Sequence, residues 1–335
     1  MADEGPAHPG GGPNVAAAED ALRAAGLVLH AGRWLPPIEI DVTQALTDAR
    51  KLQAEAESLH RQFQAATATN RRVWEQRRRL AETLEELTRI RMNTAVATTE
   101  TYQAIERLKR RLNEPPFTKA VDPAEVGELP SVNDIARDRV AAYARGGLAT
   151  LRLAGGLAEL EKRYAELDAD DDAQRAFAQL APSQPLSPRR PLKSLARDLE
   201  QLRDFFFDDG VPYSHTAGRP RTTIIIGDRR LLTVTLREEA PSWIPASAAV
   251  RLSLPIDRRV PQAVFTLDDR RITVRKAQLK DVRIGPRTLE TLPVWVLPPE
   301  AEDLGASLAV SEIHTPPATL DKEQMWLAVE AADSP

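Results

Sequence analysis

The chain has 335 residues, enough for more than one domain, with 45 basic and 49 acidic side chains and a formal charge of −4. That balance gives no global attraction toward nucleic acid or an anionic membrane. With no cysteine, disulfide and thiolate chemistry are excluded.

Residues 1–15 form a Gly/Pro-rich segment predicted to be disordered; it is acidic and lacks the apolar core of a signal peptide. Gly10-Gly11-Gly12 follows no strand, so it carries no phosphate-loop reading. Residues 16–37 read as a short helix and a small hairpin turning at His30-Ala31-Gly32-Arg33.

Between Ile38 and Glu114 there is neither glycine nor proline. Ala45, Ala49, Leu52, Ala56, Leu59, Phe63, Ala66, Asn70, Val73, Arg77, Leu80, Leu84 and Leu87 alternate by four and three. Such spacing keeps one stripe on one face and predicts a long coiled-coil helix over 38–114. Past Leu87 the register shifts and resumes at Ala95, as a stutter in one rod or the bend of a helical hairpin. Asn70 and Arg77 are polar seam positions that fix register at a cost in stability. With 14 basic and 12 acidic side chains interleaved over 38–114, the arginine clusters read as a solvated face, not a nucleic-acid surface.

Pro115-Pro116 stops this helix, and residues 115–181 form a second helical segment with Ser131 as its cap. Gly146-Gly147 and Gly155-Gly156 are expected to weaken or bend it. Residues 182–220 combine a linker with proline at every third position and an amphipathic helix bearing Leu195, Leu199, Leu202 and Phe206.

From 221 to 335 the period changes to short strands and turns. Hairpins are predicted around Gly227–Arg230, Asp268–Arg270 and Gly285–Arg287, within a small closed or partly closed β domain. The charge here is uneven. Residues 219–287 hold 15 basic and 7 acidic side chains, and residues 300–335 hold 1 basic and 8 acidic, so the acidic stretch is expected to fold back on the basic one.

Within this domain Leu231–Leu236 leads to Arg237-Glu238-Glu239-Ala240 and then to Ile244, Pro245, Ser247, Ala249 and Leu252. The last five, with Leu279–Pro298, Ser307-Leu308-Ala309 and Thr319–Val329, resemble the retropepsin-like aspartic peptidase domain, over about a third of the chain. The resemblance implies a small β barrel and a dimer whose two Asp-Thr/Ser-Gly triplets share a proton and activate water. This chain carries no such triplet: the aspartate position falls on Arg237 or Leu236, and the glycine position on Glu238 or Glu239. Arginine stays protonated and cannot act as base.

The fold expected is therefore α plus β in separate regions, a long coiled coil followed by a small all-β retropepsin-like barrel. The function expected is a non-catalytic interaction or scaffold protein, self-associating, with a degenerate site at Arg237, Glu238, Glu239 and Ala240. One alternative is an active aspartic endopeptidase using Glu238 or Glu239. A second is a β module binding an anionic ligand or acidic peptide. No cofactor, metal or membrane span is expected, since His8, His30, His60, His215 and His314 lack ligand spacing and read as surface or turn residues. A cytoplasmic setting is the expectation.

Overall fold

The computed structural model describes residues 13–93, 98–180, 189–239, 241–255, 262–267, 270–313 and 318–329. It has a long helical region over residues 37–168 and a β-rich region after it. Among the described residues no helix is long and apolar enough to cross a membrane. The chain divides into two compact units, residues 1–51 with 147–205 and residues 52–146 with 206–335.

The first unit is helical. Helix α1 (Pro13–Ala24) ends at Gly26, whose φ of +73° suits the left-handed residue that closes a helix. Leu27 N–H then returns to the Leu22 carbonyl at 3.0 Å. The hairpin of β1 (Val28–His30) and β2 (Arg33–Leu35) follows and leads into helix α2 (Pro37–Asn93). Pro37 opens that helix, where its missing N–H costs nothing. The unit takes the start of α2, the end of helix α4 (Pro130–Asp168), helix α5 (Asp171–Leu180) and most of helix α6 (Arg189–Phe207). Asp170 caps α5 by accepting from the N–H groups of Asp172 and Ala173, both at 3.0 Å. Leu22, Ala49, Leu160 and Leu202 form the deepest part of its interior. Two acids are also inside: Glu39 accepts from the Tyr164 hydroxyl, and Asp198 pairs with Arg50 at 2.7 Å.

The helices also refine the sequence reading. The helix expected over 38–114 comprises α2, ending at Asn93, and helix α3 (Thr99–Leu112). The segment after α3 returns alongside α2, where Asn70 bonds both backbone groups of Val121 at 2.9 and 3.2 Å and Arg77 donates to the Ala120 carbonyl at 2.9 Å. Of the two options, the register shift after Leu87 therefore marks the bend of a hairpin. Its polar seam residues hold backbone of their own chain.

Helix α4 begins one residue before Ser131, at Pro130, with Asn133 N–H bonded to the Leu129 carbonyl at 2.9 Å. It then runs unbroken through both glycine pairs. Two of these glycines permit close approach: a Cβ on Gly146 would sit 2.1 Å from the Phe206 ring, and one on Gly156 3.1 Å from Val42.

The β region comprises β3 (Gly210–Pro212), β4 (Ser214–Thr216), β5 (Arg219–Ile226), β6 (Arg230–Arg237), β7 (Trp243–Pro245), helix α7 (Ala246–Arg251), β8 (Gln262–Leu267), β9 (Arg270–Ile284), β10 (Arg287–Leu297), β11 (Ser307–Ala309), β12 (Thr319–Asp321) and β13 (Trp326–Ala328). The main sheet runs β4-β5-β6-β11-β7-β10-β9-β8, and a β5–β9 pairing closes the inner strands into a ring. A second sheet has the order β12-β13-β3. Alternation along β6 sends Leu232, Val234 and Leu236 inward, the period-two pattern of a half-buried strand. All three expected hairpins occur, although the Asp268–Asp269 turn lies outside the described residues.

The main core of this ring is shared with the helices. Phe63 of α2, Val126, and Val132 and Ala136 of α4 belong to the same buried cluster as Ile224, Leu236, Ile244, Val294 and Leu308. The acidic stretch does meet the basic one at Arg270–Asp303, 2.9 Å apart.

Candidate functional site

The expected site lies where β6 ends. Strand β11 is inserted between β6 and β7, parallel to β6 (Leu308 opposite Leu236, Ala309 opposite Arg237) and antiparallel to β7 (Ser307 opposite Trp243). The loop from Glu238 to Ser242 bridges over β11, and hydrogen bonds pin both of its ends. Ser311 N–H donates to the Glu238 carbonyl at 3.3 Å. Ser242 is fully buried, its hydroxyl accepting from Ala309 N–H at 2.9 Å and its own N–H donating to Glu312 at 3.1 Å. A small hydroxylated residue is needed there, since a bulkier one would displace β11.

Arg237, Glu238 and Glu239 do not converge. The Arg237 guanidinium lies over the Trp243 ring, 4.4 Å from its centroid, and among the described residues it makes no ion pair or hydrogen bond. It lines a cavity of about 340 Å³ together with Arg219, Thr235, Leu236, Trp243, Leu267 and Leu304. Glu238 lines a different and larger cavity, of about 750 Å³, which also has Glu125, Glu128, Asp134, His215 and Lys322 in its wall. Glu239 is exposed and lines neither cavity, and Ala240 lies outside the described residues. Neither glutamate hydrogen-bonds to a second carboxylate among the described residues, so these show no proton-sharing pair. No group of histidine or acidic side chains there can hold a metal ion either.

The larger cavity contains residues that sequence reasoning missed. Asn133 clamps the backbone of His215, donating to its carbonyl at 2.7 Å and accepting from its N–H at 2.6 Å. The His215 ring lies edge-on to Tyr213, with centroids 5.6 Å apart, and against Gly127, where a Cβ would come within 1.9 Å of Nδ1. Burial holds the His215 imidazole below its ordinary pKa. His215 is thus half-buried and lines a cavity, contrary to the surface or turn role expected of it. No local motif announces an Asn133–His215 contact across 82 residues.

His60 is also half-buried, beside Arg139. His8 and His314 lie outside the described residues.

No family model, curated protein or solved structure matches this chain.

Proposed function

We propose that the chain is a non-catalytic interaction protein whose β domain is a retropepsin-like module with its acid site replaced. The observation that carries this reading is Arg237. It stands at the end of β6 beside β11, where the resemblance puts the activating aspartate, and its guanidinium is laid on Trp243. A permanent cation at that point favours ionised carboxylates and an ordinary ion pair over a shared proton. The position of Ser307-Leu308-Ala309, as the strand behind the loop, supports the family reading. Self-association forms part of the proposal, through the β domain, because Asn70 and Arg77 of the helical seam are engaged within the chain.

The test is an assay of unfolded-protein cleavage at acid pH with and without a pepstatin-like inhibitor, run beside a melting curve at the same pH. The reading expects no inhibitor-sensitive cleavage. Cleavage that the inhibitor blocks and that Glu238→Ala/Glu239→Ala removes would establish the peptidase alternative instead. Sedimentation showing a monomer at micromolar concentration would remove self-association.

A further inference from the structure

We propose that two copies of this chain associate through strand β8, pairing edge to edge about a two-fold axis at Val264. The proposal deepens the self-association named above by supplying its contact, and it rests on that reading.

Strand β8 ends the main sheet. Among the described strands it pairs with β9 alone, and no backbone group of residues 262–267 bonds elsewhere. An open edge is a row of unpaired N–H and C=O groups that takes another strand unless charge, proline, a bulge or shortness guards it. Gln262-Ala263-Val264-Phe265-Thr266-Leu267 has no charged residue and no proline, and its six residues pair with β9 without a bulge. The other end of the sheet is guarded: β4 has three residues, and Asn133 occupies both the N–H and the C=O of His215. The inner face of β8 is anchored. Ala263, Phe265 and Leu267 are partly buried against Trp243 and Ile272, and the Phe265 ring stands edge-on to Trp295 at 5.0 Å. The strand is thus ordered before a partner arrives, which lowers the cost of association. On the outer face Val264 is 55% exposed, the one large apolar side chain of the main sheet left so among the described residues.

A second copy fits this edge. The strand has no charge to select an acidic or basic partner, whereas a two-fold axis normal to the sheet makes it its own complement. Val264 then faces Val264 of the second copy and Gln262 faces Thr266, so no like charges meet across the new ladder. The nearest described charges across the existing ladder are Arg271, opposite Thr266, and Arg275, opposite Gln262. In the pair, Arg271 of one copy lies three strand spacings from Arg275 of the other, about 14 Å. That exceeds the screening length of about 8 Å at physiological salt. A six-residue strand is about 20 Å long, so the contact is small and the dimer depends on concentration.

Sedimentation velocity of the full chain over a micromolar concentration series tests the pairing. We expect a monomer–dimer equilibrium that Val264→Lys weakens at least about tenfold, because the two new charges meet on the axis. Val264→Glu should act alike, and mixing the two variants should restore dimers. Since Val264 is exposed, both variants should melt with the wild type. The chain has no cysteine, so Val264→Cys gives an independent readout that needs no charge in the sheet. Opposed residues of an antiparallel pair have Cα atoms about 4.5–5.5 Å apart, within disulfide reach. Mild oxidation should therefore link Val264→Cys chains in pairs and leave Val250→Cys, at a 74% exposed position on α7, unlinked. A dimer that Val264→Lys leaves unchanged overturns the edge pairing and assigns self-association to another surface. A Lys/Glu mixture that stays monomeric overturns it equally, as do Val264→Cys chains that link no faster than Val250→Cys. A wild-type chain that is monomeric throughout removes self-association itself, so the two failures are told apart.

Discussion

Arg139 is the largest side chain sealed in the protein, 1% exposed, and no carboxylate pairs with it among the described residues. Its guanidinium donates to the carbonyls of Gln324 and Met325 at 2.7 and 2.8 Å and lies 4.1 Å from the centre of the Phe63 ring. Burial draws its pKa down to about 10, which still leaves it charged at neutral pH. Two carbonyl dipoles and an aromatic face therefore replace the counter-ion. Replacing it by methionine keeps most of the volume but removes the Gln324 carbonyl's donor and leaves the Met325 carbonyl with the Tyr213 N–H alone, and a buried acceptor without a donor costs about 1–3 kcal/mol. Relief of the buried charge offsets part of this. Arg139→Met should lower unfolding free energy in urea by about 1–2 kcal/mol. The two half-buried histidines give a pH dependence of defined sign. Burial lowers the pKa of both His60 and His215 below the ordinary value, so below that value the unfolded chain binds protons that the fold refuses. Their contribution to stability is full above about pH 6.5 and falls on acidification. Melting temperature should drop between neutral and mildly acid pH, and less so in the His60→Gln/His215→Gln variant.

Helix α4 shows why glycine content alone misleads. Gly155 has nothing within 4 Å of where a Cβ would stand, while at Gly146 the Phe206 ring is 2.1 Å away. Gly155→Ala should then stabilise by about 0.5–1 kcal/mol, and Gly146→Ala should destabilise by about 1–3 kcal/mol. The two melting temperatures move in opposite directions if close packing is the reason for Gly146. Asn70 allows a sharper test. In a seam facing another copy, Asn70→Leu would strengthen the helix pairing. Here it strips a partner from both the N–H and the C=O of Val121, and should cost about 1–3 kcal/mol in denaturant unfolding. The periodicities that predict these elements are local, so the helices, the hairpins and the buried stripe of β6 were legible in the sequence. What a seam packs against is not local. Asn70 sits 51 residues from Val121, and a four-three repeat reads alike whether its partner is a second copy or a returning loop.

The same limit applies to the molecule as a whole. Sequence reading separates a helical rod from a β domain at 221 because the hydrophobic period changes there. Burial makes another division: Phe63, Val132 and Ala136 close the core of the β ring, and the units are 1–51 with 147–205 and 52–146 with 206–335. A fragment of residues 221–335 would expose the apolar surface those helices cover. It should aggregate or lack near-ultraviolet dichroism, whereas a freely folding fragment would restore the rod-and-module view. The site was legible to the same degree. The absence of an Asp-Thr/Ser-Gly triplet at Arg237-Glu238-Glu239 is plain from the sequence, but the lining of two different cavities by Arg237 and Glu238 depends on how Leu236 enters a strand pair with a segment 72 residues later.

Strand β13 pairs with β3, Val329 N–H reaches the Asp209 carbonyl at 3.0 Å, and Arg139 bonds to Met325 across a separation of 186 residues. While a ribosome is still making residues 210–320, Arg139 lacks the Gln324 and Met325 carbonyls to which it donates. Nascent chains will therefore carry their helices long before they can close this core. Folding on release should be slow, governed by this one long-range closure and not by the helices.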